Sequence, residues 1–269
     1  MATLNRLAVP SFDLAWADLN DGKECLVLIP GGGGSTKSGV RNQIQVAKYD
    51  GPRGFALLKS FMTDVEEKSN FCSAISSGII EGRAIVCAVV DDSCLIFESQ
   101  RADDGGVDLS KRTEFKADFN KEFASVNCCM VASKHVLTGG EDHICRLWNI
   151  SWESVGEDEV WNVKQVREMK GHAAPVMAIA RHPTRPWVVT ASKDGTCKIF
   201  DASNGQGTES SRMMLNVKSM QSSSTFRQWM AWTALNGRVS QWSAEAVCSH
   251  RRAGSSSPYK AGKEVRVIS

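Results

Sequence analysis

One pattern occurs twice in this chain without a gap, and it fixes what the chain can fold into. Val136-Leu-Thr-Gly-Gly-Glu-Asp-His-Ile-Cys-Arg-Leu-Trp148 aligns with Val188-Val-Thr-Ala-Ser-Lys-Asp-Gly-Thr-Cys-Lys-Ile-Phe200, 52 residues further on. Each copy reads as an apolar strand, a tight turn around an Asp, and a second strand closing on an aromatic. The Asp stands six positions before the aromatic, Asp142 to Trp148 and Asp194 to Phe200, and the spacing recurs at Asp91 to Phe97 and Asn236 to Trp242. These turns lie 51, 52 and 42 residues apart, near the ~40–45-residue period of four-stranded propeller blades.

The rest of the chain reads the same way. Ala84–Val90, Trp187–Ala191 and Trp229–Trp232 are short apolar runs bounded by Gly, Asp, Asn or Ser, which is how buried strands are punctuated. No window keeps a 3.6-residue apolar period, so the fold class is all-β with helix almost absent. The whole chain, 1–269, is read as one propeller domain. Its blades are expected at about 12–50, 55–117, 121–168, 171–217 and 225–269.

These segments resemble WD repeats. The fullest copy carries Gly171-His172, Thr190, Asp194 and Phe200, where the family's terminal Trp usually stands. The resemblance implies that His172, Thr190 and Asp194 form a hydrogen-bond relay inside the blade. Phe200 lacks the N–H with which an indole would extend it. The preceding copy has Thr138, Asp142 and Trp148 but no Gly-His pair. In this setting a His beside an Asp is read as structural and not as a catalytic dyad.

Composition removes several function classes. The net charge of +2 gives no bulk electrostatic reason to bind nucleic acid or a membrane surface. No run approaches 18 apolar residues, so no membrane span is read. Ala2–Asp13 has no apolar core of signal-peptide length. Nine cysteines without a C-x-x-C pair read as small reduced hydrophobes, which places the chain in the cytosol or on a cytosol-facing surface. Cys128, Cys129, His143 and Cys145 are not read as a metal set, because neighbours on a strand face opposite ways. The sequon at Asn149 and the basic cluster His250-Arg-Arg252 are given no role.

One segment departs from the blade pattern. Between the strands Cys25–Ile29 and Gln43–Tyr49 stands Pro30-Gly-Gly-Gly-Gly-Ser-Thr-Lys-Ser-Gly-Val-Arg-Asn42. Successive glycines cost folding entropy, so a chain that keeps them needs unusual backbone angles or close approach. Three readings stand. Gly31–Ser38 misses the P-loop pattern by one residue, but Lys37 would need a helix to follow, and Asn42–Tyr49 alternates like a strand. A plain flexible hairpin tip is the second. The third is a partner loop whose carbonyls, with Asn42, hold a cation.

Gly31, Gly32, Gly33, Gly34, Gly39, Val40 and Asn42, set between two strands of a first WD blade, resemble the loop of the endoplasmic-reticulum guanine-nucleotide exchange factors for the Sar-type small GTPase, the prolactin regulatory element-binding protein family. That resemblance implies a potassium ion on the loop, contact with the GTPase, and work at the cytosolic face of the endoplasmic reticulum in ER-to-Golgi transport. The family has seven blades and a membrane helix, so the chain is read either as an incomplete seven-bladed propeller or as a divergent short member, which would be cytoplasmic. Exchange without covalent chemistry is the first functional expectation. The alternative is a non-catalytic WD scaffold, including a trafficking facilitator without exchange activity.

Overall fold

The computed structural model describes residues 7, 9–17, 26–34, 39–49, 54–63, 72–102, 107–156, 158–182, 184–207 and 213–214. They form four antiparallel four-stranded sheets in chain order, with no helix among the described residues. The first contains β1 (Ala15–Trp16), β2 (Leu26–Gly31), β3 (Gln43–Tyr49) and β4 (Phe55–Met62). The second contains β5 (Cys72–Ile80), β6 (Arg83–Val90), β7 (Ser93–Arg101) and β8 (Val107–Lys116). The third contains β9 (Val126–Ala132), β10 (His135–Gly140), β11 (Cys145–Val155) and β12 (Asp158–Met169). The fourth contains β13 (Val176–Arg181), β14 (Trp187–Ser192), β15 (Thr196–Asp201) and β16 (Met213–Met214). Inner strands of successive sheets lie side by side, β2 with β5, β5 with β9 and β9 with β13. This is the blade stacking of a WD propeller.

Strand β6 shows why these residues form this architecture. Its run Ala84–Val90 is apolar throughout because both its faces are covered. Val86, Ala88 and Val90 pack toward Leu26, Leu28, Ile44 and Val46 of the first sheet. Ile85, Cys87 and Val89 pack toward Val131, Val136, Trp148 and Ile150 of the third. Each large apolar side chain sealed this way stabilises the stack by about 1.5–3 kcal/mol. Between the third and fourth sheets, Leu137, Leu147 and Met169 meet Val188 and Phe200.

Two expectations are corrected. Phe55–Met62 pairs with Gln43–Tyr49, Tyr49 opposite Phe55, so it closes the first blade and does not open the second, which begins at Cys72. The second correction concerns Asp91. Val90 pairs with Ser93, so this turn has two residues, with Asp91 left-handed at φ 52°. In the next two sheets Val136 faces Trp148 and Val188 faces Phe200, which puts Asp142 and Asp194 at equivalent turn centres. The six-residue spacing at Asp91 is therefore a coincidence of register. Asn236, Trp242, Trp229–Trp232 and the expected fifth blade lie outside the described residues, as do Cys25, Lys37 and His250–Arg252.

Candidate functional site

The glycine-rich loop leaves the first sheet between its second and third strands. It therefore emerges at the same end of the sheets as the turns at Asp142 and Asp194. Gly31 pairs with Gln43, and just beyond this pair the neck is tied by side chain and backbone together. Asn42 is 1% exposed. Its Oδ1 accepts the Gly34 N–H at 2.9 Å, and its Nδ2 donates to the Gly34 carbonyl at 3.4 Å. Gly33 N–H reaches the Val40 carbonyl at 3.2 Å, and Thr63 N–H reaches the Asn42 carbonyl at 3.1 Å. From the other side comes the segment before β1. Gly32 N–H donates to the Pro10 carbonyl at 3.1 Å, and Ser11 bridges to Gly31. Asp13 then accepts the Ile75 N–H at 3.1 Å, which fastens that segment to the second sheet.

This packing explains two of the glycines. A Cβ on Gly31 would stand 2.0 Å from the Pro10 carbonyl oxygen. A Cβ on Gly32, whose φ is +149°, would stand 2.2 Å from Asn42 Oδ1 and 2.6 Å from its Cα. Gly39 instead has open space around its Cβ direction and a φ of +74°, so its requirement is conformational. The residue types that suggested a ligand loop are thus used first to close its neck. The neck's oxygens are neutral: glycine and Val40 carbonyls, the Asn42 amide, and a buried Thr63 hydroxyl that makes no hydrogen bond. Such a donor set suits a monovalent cation better than a divalent one. Residues 35–38 lie outside the described residues. Asn42 is followed by strand β3, not by the helix that a P-loop needs.

The relay residues fall into two complementary halves. In the fourth sheet, His172 Nδ1 is 2.9 Å from Asp194 Oδ2 and Nε2 is 2.8 Å from Thr190 Oγ1. A carboxylate only accepts, so Nδ1 carries the proton and Nε2 accepts from the threonine. Asp194 also receives Ala173 N–H at 2.9 Å and Thr196 N–H at 2.8 Å. Burial pushes this carboxyl up, but the Thr196 hydroxyl, those N–H groups and His172 outweigh it and hold it at about 2. Burial pulls His172 below its ordinary value, against the pull of Asp194.

In the third sheet, Trp148 Nε1 donates to Thr138 Oγ1 at 2.8 Å. No histidine follows. Asp118 takes that place: Asp142 accepts Phe119 N–H at 3.1 Å, as Asp194 accepts that of Ala173. Asp118, fully buried, accepts the N–H groups of Asp142 at 3.0 Å and Asn120 at 2.9 Å. Burial raises its carboxyl above the ordinary range. Arg146 closes the network, 2.6 Å from Asp142 Oδ2 and 3.2 Å from Glu168.

Sequence reasoning missed Asp118, Arg146 and one outer cluster. Trp152 and Trp161 are cross-strand partners on the long β11–β12 hairpin, with ring centroids 4.8 Å apart. Arg83 of the second sheet lies 4.6 Å over Trp152 and forks onto Glu159 at 2.8 and 2.5 Å. Two tryptophans flanking an eight-residue stretch with four acidic residues, 153–160, were the available signal. The cysteine group disperses: Cys129 Sγ turns to the Cys87 carbonyl, and Cys128 Sγ to the Gly139 carbonyl. The seven described cysteines are free thiols, and burial holds Cys197 up at about 12.

Comparison with known proteins reaches the same repeats. Residues 114–149 and 163–201 match the family model "WD domain, G-beta repeat". Over 129 residues the chain is 27% identical to the guanine nucleotide-binding protein subunit beta of Arabidopsis thaliana, covering 45% of this chain and 30% of that protein. Among solved structures, Sqt1 from Chaetomium thermophilum bound to the N-terminus of the ribosomal protein L10 superposes with a TM-score of 0.53 and 15% identity, over 79% of this chain and 52% of that one. Sqt1 solved alone gives 0.51 and 14%, over 79% and 50%. The chain carries WD repeats and spans about half the length of these solved propellers.

Proposed function

We propose that this chain is a protein-binding WD module whose working element is the loop from Gly31 to Asn42. The observation that carries this reading is the Asn42–Gly34 clasp. It fixes both ends of a glycine-rich segment at the blade end that also carries the Asp142 and Asp194 turns. A segment held at its neck loses less conformational freedom on binding than an open one, which favours affinity. A solved relative in fold, Sqt1, is described with the N-terminal segment of another protein bound, and propellers commonly act this way without chemistry of their own.

A more specific reading rests on the loop's place in the first blade. There the chain resembles the exchange factors of the Sar-type GTPase, so its partner is that GTPase at the cytosolic face of the endoplasmic reticulum. Exchange requires only that the module bind the nucleotide-free GTPase more tightly than the loaded one, since linkage then lowers nucleotide affinity. Potassium, held by neutral oxygens of the loop, would supply a fixed positive charge that orders its carbonyls.

The test is direct binding to a Sar-type GTPase, and nucleotide release from it, with the intact chain and with 33–41 replaced by Asn-Gly. Binding and release that both fall with the replacement support an exchange factor. Binding without release supports a scaffold. Binding indifferent to the loop overturns the assignment of the loop as working element. Replacing potassium by lithium should slow release by the intact chain more than by the loop variant.

A further inference from the structure

The opposite end of the sheets carries a cavity of about 170 Å³ between the third and fourth blades. Its origin is local. Along most of this interface Met169 and Phe200 fill the space, but toward the Ser133–Lys134 turn the facing residues are Ala132 and Ala202, too small to meet. The floor is Leu137, Leu147 and Val188, all buried, while His135 and Arg181 line the polar side. A space of this size takes one benzene-sized or aliphatic group.

The rim is cationic without compensation. Arg181 donates to the Ser133 hydroxyl, and Arg185 lies 4.6 Å over the Trp187 ring. Arg83, Arg112 and Arg146 are all ion-paired, yet among the described residues no carboxylate lies within ion-pair distance of Lys134, Arg181 or Arg185. The acid nearest in sequence to the cavity wall, Asp201, is turned into its own loop, bonded to Ser203 N–H at 2.8 Å and its hydroxyl at 2.5 Å. An apolar hole beside unpaired guanidinium groups is complementary to an apolar side chain flanked by carboxylates.

We infer that this cavity is a second protein-binding site, separate from the glycine-rich loop, that takes an acidic segment of a partner protein by one apolar anchor, with the flanking carboxylates on Arg181 and Lys134. Arg181 fits this use better than a lysine would, because its planar fork meets a carboxylate with two parallel bonds.

The test is fluorescence anisotropy of a labelled Glu-Asp-Leu-Glu-Asp peptide against the full chain. Saturable binding is expected, weakened about tenfold or more by Arg181→Glu and by Lys134→Glu. The same peptide with serine in place of leucine should bind about tenfold more weakly or worse. The loop replacement should change nothing. Absence of saturable binding overturns the inference, as does binding indifferent to both charge reversals or equal for the serine peptide. If Arg181→Glu unfolds the chain by circular dichroism, Lys134→Glu in the exposed turn decides. Peptide binding lost on loop replacement alone also overturns it, while leaving the protein-binding reading of the loop intact.

Discussion

Trp148 donates its indole N–H to the Thr138 hydroxyl at 2.8 Å, and that bond is the half of the blade relay that the fourth sheet lacks. There Phe200 stands in the indole's position, and Thr190 bonds the His172 ring instead. Each blade therefore keeps one half and replaces the other, the third with Asp118 and Arg146, the fourth with a ring that needs no acceptor.

Thr138→Val should cost about 1–3 kcal/mol, because it leaves the buried Trp148 N–H without an acceptor. Trp148→Phe should cost lost packing and also leave the buried Thr138 hydroxyl without a partner, because the third sheet has no counterpart of the His172 ring that Thr190 bonds. Urea denaturation of the two single variants and the double variant measures the coupling. Additive single and double effects would show that the bond contributes nothing.

Acid should weaken the fourth blade in two stages. His172 is depressed in the folded chain, so the unfolded chain takes the proton more readily, and stability is lost as pH falls below the ordinary histidine value of about 6.5. Asp194 is held at about 2, so its contribution is present above about pH 4 and is lost as pH falls toward its folded value. His172→Gln should remove the upper stage and leave the lower. Melting temperatures between neutral and acid pH check both signs.

Removing the clasp should loosen the loop's neck. Asn42→Ala deletes both contacts to Gly34, for a loss of about 1–3 kcal/mol. Gly32→Ala should cost more than Gly39→Ala. The first sets a Cβ against Asn42 as well as straining φ, whereas the second strains φ alone in open space. Chemical denaturation of the three variants gives the order, and equal losses would refute the steric argument at Gly32.

The outer hairpin is held to the second sheet by Arg83. Arg83→Ala should destabilise by about 1–3 kcal/mol, combining the lost stacking on Trp152 and Trp161 with the loss of the Glu159 partner and of one of the two arginines on buried Glu98. Arg83→Lys should recover little, since an ammonium cannot fork onto Glu159 while lying flat on a ring. Thermal melts followed by tryptophan fluorescence report both effects at the hairpin itself.

The strands and the paired turns were legible in the chain because they are local. Alternation, turn residues and the Asp-to-aromatic interval at Asp142 and Asp194 each depend on neighbours within a few positions. The continuous apolar run Ala84–Val90 likewise announces a strand covered on both faces. The same local reading misplaced Asp91 and Phe55–Met62, because spacing records distance along the chain and not which strand a residue pairs with. Tertiary structure alone decided that Pro10 and Asn42 crowd Gly31 and Gly32, so that glycines suggestive of a ligand also make room for a clasp. It alone put Asp118 where the next blade has His172, Arg83 between two tryptophans 69 and 78 positions later, and a cationic-rimmed cavity between Ala132 and Ala202. Each of these is a contact between segments far apart in sequence, whose energy depends on shape and burial that no local pattern encodes.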